Sequence, residues 1–260
     1  IPSISAKSSH NIDTRQAADW LKEKLIEAGL QAELIHTSGH PIVLGEWRNA
    51  GDEAPTVLVY GHYDVQPPEP LELWESPPFE PEIRDGRLYA RGSADDKGQL
   101  YLHVKAAEAH LKANGTLPIN LIILAEGEEE VGSPNLAPFV EANKDRLACE
   151  TVVISDGNMF APGLPSILFS LRGLAYSEIH VTGPSGDLHS GQFGGPVVNP
   201  AMALAQILAT LFDDNGRIAI EGFYDDVLEC DPETQNAIRN LPFDEDGFGE
   251  LAGVTLSGGE

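Results

Sequence analysis

Four short stretches carry side chains that bind metals or move protons: "GHYD" (61–64), "ADDKG" (94–98), "EGEEE" (126–130) and "SDG" (155–157). His62 and Asp64 stand two residues apart, so in an extended backbone both side chains project to the same side. One can bind a metal while the other orients it, and Asp64 fits either part. Asp95 and Asp96 precede Lys97 at the start of a helical stretch, where they serve as N-caps or as ligands. Glu128, Glu129 and Glu130 follow an apolar run directly. Taken alone, such a triplet is commonly a solvated turn, and Asp156 with Gly157 fits an Asx turn equally well. Chemistry is favoured by coincidence, because separate strand-end and helix-start loops each deliver acids. Packed carboxylates raise one another's pKa, and divalent cations remove that conflict. One histidine with several carboxylates and no cysteine suits zinc, with manganese or cobalt as alternatives, and a carboxylate spanning two ions suits a pair roughly 3.5 to 4 Å apart. Calcium fits less well, since it prefers an all-oxygen shell and His62 stands in the set. Neighbouring glutamates can then divide the labour, one on metal and one moving the protons of water.

Such loops need a scaffold that brings them to one place. The stretch "DTRQAADWLKEKLIEAGL" spaces Ala17, Ala18, Leu21, Leu25 and Ile26 as an amphipathic helix closed by Gly29. "QAELIHT" and "PIVLGEW" read as short strands, and "TVLVY" as a buried one because it does not alternate. The proline-rich "VQPPEPLELWESPPFEPE" reads as loop. Residues 97–115 space Leu100, Val104, Ala107 and Leu111 as a second helix. "LPINLIIL", a helix over "NLAPFVEANKDRL" and a buried strand "TVVIS" complete an alternating pattern. The prediction is an α/β fold with a doubly wound, mostly parallel sheet, whose ligands sit beyond the carboxyl ends of the strands. From about Ser166 the pattern changes: 166–183 looks like long strands, followed by a glycine-rich loop and the helix "NPAMALAQILATLF". A second, α+β module is expected there.

The chain has 260 residues, enough for a sizeable core. Its 16 Lys and Arg against 41 Asp and Glu give a net charge of -25, a field that disfavours nucleic acid and anionic membranes. No apolar stretch approaches the roughly 18 residues that span a bilayer, and no signal peptide is read at the start. A soluble, cytoplasmic protein is expected. Cys149 and Cys230 are far apart and suggest neither a disulfide framework nor a thiolate metal site. Ile1 and the closing "VTLSGGE" read as cut ends.

"VLVYGHYDVQP", "DGRLYARGSADDKG", "EGEEEVGS", "ISDG" and "DLHSG" follow one another in an order that resembles the metallopeptidase M20 family. Together they cover most of residues 56–195, with "GHYDVQP" and "DLHSGQFGG" most similar to its carnosinase and cytosolic dipeptidase branch. The resemblance implies two zinc ions. His62 would ligate one, Asp95 would bridge both, Glu130 would be a ligand and Asp156 would bind the other ion of the pair from Glu130. Glu129 would be the general base, Asp64 the partner orienting His62, and the Asp95–Asp96 peptide would be cis. His189 resembles a histidine that reaches into the neighbouring subunit's site, which implies a homodimer. Residues 1–166 would then be the zinc-binding catalytic domain and 167–260 part of a lid and dimerisation domain. The resemblance also implies a last zinc-binding histidine, yet the last histidine here is His189.

The expected activity is hydrolysis of dipeptides or short peptides. N-acyl-amino-acid amidohydrolysis on the same metals, and a non-catalytic metal-binding role, remain as alternatives.

Overall fold

The computed structural model describes residues 1–161, 163–168, 170–171 and 173–256. Two compact units divide the chain, Ile1–Leu168 and Phe169–Glu260.

The first unit opens with helix α1 (Asn11–Glu27), whose spacing buries Ala17, Ala18, Leu21 and Leu25. Ile26, read from sequence as part of that stripe, is instead exposed. Its position falls one residue past the face that Leu21 and Leu25 define. Gly29 adopts φ +100°, and the chain turns there into β1 (Gln31–Ile35) and β2 (Ile42–Trp47). Next come β3 (Thr56–His62), the short pair β4 (Glu82–Arg84) and β5 (Arg87–Tyr89), helix α2 (Lys97–Asn114), β6 (Asn120–Glu126), helix α3 (Leu136–Ala142) and β7 (Thr151–Ile154).

The main sheet has the order β1-β2-β6-β3-β7. β6 pairs parallel with β3, and β3 with β7, while β2 runs antiparallel to both β1 and β6. So β1, β3, β6 and β7 share one direction and β2 opposes them, which makes the sheet mostly parallel. All of β6 is buried, as a central strand covered on both faces requires. On one face α1 and α2 pack Leu21, Leu25, Leu100 and Val104 against Val59, Ile123 and Ala125. On the other, Phe139 and Leu147 pack with Leu58, Ile122 and Leu124. Register places His62 opposite Glu126 and Tyr60 opposite Ile154, so the loops after β3, β6 and β7 leave from the same edge.

Several sequence expectations change. The helix expected over 135–147 stops at Ala142, because Asn143 leaves helical geometry and its side-chain amide bonds the Phe139 carbonyl at 2.8 Å, satisfying a group of the last turn. β7 was expected to be buried. It is one of the two outer strands of the sheet among the described residues, and Val152 and Ile154 lie at the surface. Within the stretch read as loop or left unassigned, β4 and β5 form a hairpin around Asp85 and Gly86, both at positive φ. Asp-Gly is the dipeptide such a turn demands.

The second unit, among its described residues, contains α4 (Ser190–Phe193), α5 (Pro200–Ala209), α6 (Pro232–Arg239) and α7 (Glu245–Ala252). Asn199, Asp231 and Asp244 cap the last three through their side chains, with proline in the first turn of α5 and α6. The long strands expected over 166–183 do not form among the described residues. A strand is sustained by a partner for its N–H and C=O groups, and the pairing found among the described residues of this unit is a single bridge, Phe212 to Ile218. The reading of "VTLSGGE" as an unfinished end falls largely on 257–260, outside the described residues. Among the described residues no helix is long and apolar enough to cross a membrane.

Candidate metal centre

β3 delivers His62 at its last position, and the next residues hold Asp64; both are fully buried. The ring is gripped from several sides. Nδ1 lies 3.1 Å from the Asp64 carbonyl and 3.3 Å from Asp64 Oδ1. Nε2 lies 3.1 Å from Asp95 Oδ1 and 3.5 Å from Asp156 Oδ2. Asp64 Oδ2 accepts from the backbone N–H of Glu130 at 3.2 Å, tying the loop after β3 to the loop after β6.

Helix α2 begins immediately after the Asp95–Asp96 peptide, which is cis. Of the two roles open for Asp96, capping is not the one found: its side chain makes no cap bond. Its Oδ2 accepts the backbone N–H of His62 at 3.1 Å, and its Oδ1 is buried without a hydrogen-bond partner.

The acidic run divides cleanly. Glu128 is buried and is engaged elsewhere, taking the Asn135 amide at 2.7 Å and the His40 N–H at 3.3 Å. Glu129 and Glu130 face the histidine. Oxygens of Asp95 and Glu130 with a His62 nitrogen lie within 4.8 Å of one another, and so do those of Glu129 and Asp156 with His62. Both groups have the geometry of a cation site, and they share the imidazole.

The electrostatics show why a cation suits this place. Burial pulls the His62 ring down, but the hydrogen bond and charge of Asp64, with Asp96 and Asp156 behind it, hold its pKa up at about 10. Burial pushes Asp96 up to about 6, against the hydrogen bond and charge of His62 and helped by Asp156 and Asp95. Glu129 is raised by burial, with His62 opposing and Glu130, Asp156 and Asp64 adding. Glu130 is raised by burial too, with Gln66 opposing and Asp95 adding. Among the described residues no lysine or arginine forms an ion pair with Asp95, Glu129, Glu130 or Asp156. Lys97 turns away, giving its ammonium to the Ile1 carbonyl at 2.7 Å. Several carboxylates gathered around a single imidazole, with a partnerless Asp96 oxygen beside it, fit a divalent cation.

Sequence reasoning missed three supports. Gln66 gives its backbone N–H to Glu130 Oε1 at 3.1 Å and its amide to Oε2 at 2.7 Å. Glu126 is buried and accepts the Tyr60 hydroxyl at 2.6 Å and the Ser133 hydroxyl at 2.8 Å, closing the base of the loop that bears Glu129 and Glu130. His103 on α2 meets Ser155, the neighbour of Asp156, at 2.7 Å. The nearest signal was that Gln66 and Glu126 sit inside the quoted motifs. His189 belongs to the second unit, where it precedes α4 and its Nδ1 accepts the Gly191 N–H at 3.1 Å.

Comparison with known proteins adds independent observations. The model of peptidase family M20/M25/M40 matches residues 58–240. Over 270 residues the chain is 35% identical to the Cys-Gly metallodipeptidase dug1 of Schizosaccharomyces pombe, covering 99% of this chain and 56% of that protein. Over 206 residues it is 34% identical to the human Beta-Ala-His dipeptidase, covering 78% of this chain and 40% of the other. A solved M20 family metallo-carboxypeptidase from Sulfolobus solfataricus is similar at TM-score 0.83 and 36% identity, over 100% of this chain and 58% of its own. The chain thus spans about half the length of the curated relatives it matches. With a match over more than half its residues, the chain belongs to peptidase family M20/M25/M40.

Proposed function

We propose that this chain acts as a metal-dependent dipeptidase that hydrolyses its substrate with water activated by Glu129. The observation that carries the reading is the convergence of His62, Asp95, Glu129, Glu130 and Asp156 at the carboxyl edge of the sheet. The names of the relatives, Cys-Gly and Beta-Ala-His dipeptidases, supply the substrate class.

His62, Asp95 and Asp156 would hold one ion, Asp95 and Glu130 the other, and zinc suits the mixed nitrogen and oxygen donors. Bound there, a pair of cations supplies positive charge that acidifies water and polarises the scissile carbonyl. Glu129 accepts the proton of the attacking water and returns it to the leaving amine. Its raised pKa, caused first by burial, suits a group that works in both directions. Asp64 fixes the tautomer and angle of the His62 ring. His189 would donate to the developing oxyanion in a homodimer, with 1–166 as the catalytic part and 167–260 contributing lid and dimer contacts. The cytoplasm is the location this reading assigns.

The test is Glu129→Gln in zinc-loaded chain, assayed on Cys-Gly, β-Ala-His and an N-acyl amino acid. Retained zinc with turnover reduced roughly 100- to 10,000-fold is expected. Full turnover in the variant overturns the proposed base, and hydrolysis confined to the N-acyl substrate overturns the dipeptidase assignment.

A further inference from the structure

Asp156 is weakly held for a residue with such a task. It stands two residues beyond Ile154, the last paired residue of β7, and β7 is one of the two outer strands of the sheet among the described residues. Among the described residues its carboxylate has one hydrogen-bond or ion-pair partner, His62 Nε2 at 3.5 Å, and that nitrogen is the atom a cation would take. Once a metal is bound, the aim of Asp156 depends on its backbone.

Among the described residues, that backbone has one side-chain anchor nearby. Ser155 Oγ lies 2.7 Å from His103 Nε2. Burial lowers the pKa of His103, which favours the uncharged ring as the partner of the hydroxyl. His103 sits on α2, the helix that starts directly after Asp95 and Asp96 and is locked to the sheet by buried Leu100 and Val104. One rigid helix therefore fixes the start of the Asp95 side of the site and, through His103, the Asp156 side.

We propose that His103 and Ser155 are a positioning pair: the helix α2 sets the span between Asp95 and Asp156 by holding Ser155, and so tunes the cation that His62, Asp95 and Asp156 share. This rests on the reading of Asp156 as a ligand. In this role both residues act through Asp156, the neighbour of Ser155.

The experiment is zinc release from the loaded full chain to a chromogenic chelator, for wild type, Asp156→Ala, Ser155→Ala, His103→Ala, the Ser155→Ala/His103→Ala double variant and His103→Gln. The zinc lost in Asp156→Ala should be held roughly 10- to 100-fold less tightly in Ser155→Ala and in His103→Ala. The double variant should be no worse than either single one, because the same bond is removed. His103→Gln, whose amide can reach the same hydroxyl, should recover most of the affinity, and metal-free melting temperatures should stay together across the set. A rescue failure, or pair variants within twofold of wild type while Asp156→Ala loses its zinc, overturns the positioning role alone. If Asp156→Ala leaves zinc occupancy unchanged, the ligand reading falls and the inference falls with it.

Discussion

Gln66 holds both oxygens of Glu130, one through its backbone N–H and one through its side-chain amide. A carboxylate engaged in this way keeps one orientation, and that separates Glu130 from its neighbour Glu129 more firmly than sequence position does. Gln66→Ala should therefore weaken zinc binding about tenfold, and Gln66→Glu should weaken it further by placing like charge against Glu130. Chelator competition measures both, and unchanged affinity in the two variants would remove Glu130 from the ligand set. At this scale much of the centre was legible. His62, Asp95, Glu129, Glu130 and Asp156 are residue types that bind cations or move protons, placed in short motifs at strand ends and at one helix start. Gln66, Glu126 and His103 were not legible, because their value lies in contacts with residues 64, 66 and 52 positions away in sequence, and nothing in their own types announces those.

Elements with local causes were read well. The period of α2, its closing Gly115 at φ +71° and the unbroken apolar run of β6 each specify themselves. Elements that depend on neighbours were not: β7 has the composition of a buried strand but takes an outer place, and 166–183 has the composition of strands without partners among the described residues. The β4–β5 hairpin carried a readable Asp-Gly signal that the proline-rich surroundings obscured. The join between β6 and its loop offers a sharp test. A methyl group on Gly127 would sit 2.4 Å from the Tyr63 ring, whose hydroxyl is itself fixed to the Pro41 carbonyl. Gly127→Ala should cost about 1 to 3 kcal/mol through overpacking, read as a lower denaturant midpoint. A variant as stable as wild type would mean that the ring and loop separate freely.

Taken whole, the chain carries an excess of acid, and its candidate site is one that asks for cations. In chelator, the signs of two shifts agree. Asp96 is raised from 3.8 to about 6, so its stabilising share is full below 3.8 and is lost as the pH rises through about 6. His62 is raised from 6.5 to about 10, so its share is full below 6.5 and drains away as the pH climbs toward 10. The metal-free melting temperature should fall between about pH 5 and pH 8, and added zinc should raise it most at the upper end; a flat or rising profile contradicts this. Because His62, Asp95, Glu129, Glu130 and Asp156 all lie in the unit Ile1–Leu168, a chain cut back to those residues should take up as much zinc as the whole, by elemental analysis. The exposed flank of β7 has another consequence. Outer strands with a free row of backbone groups are templates for aggregation, and here Val152 and Ile154 make that row adhesive. Mutual repulsion from a net charge of -25 opposes such edge-to-edge pairing, and at about 0.15 M salt it reaches only about 8 Å. Light scattering should therefore rise with ionic strength, and a lysine in place of Val152 should act as a gatekeeper that keeps the solution clear.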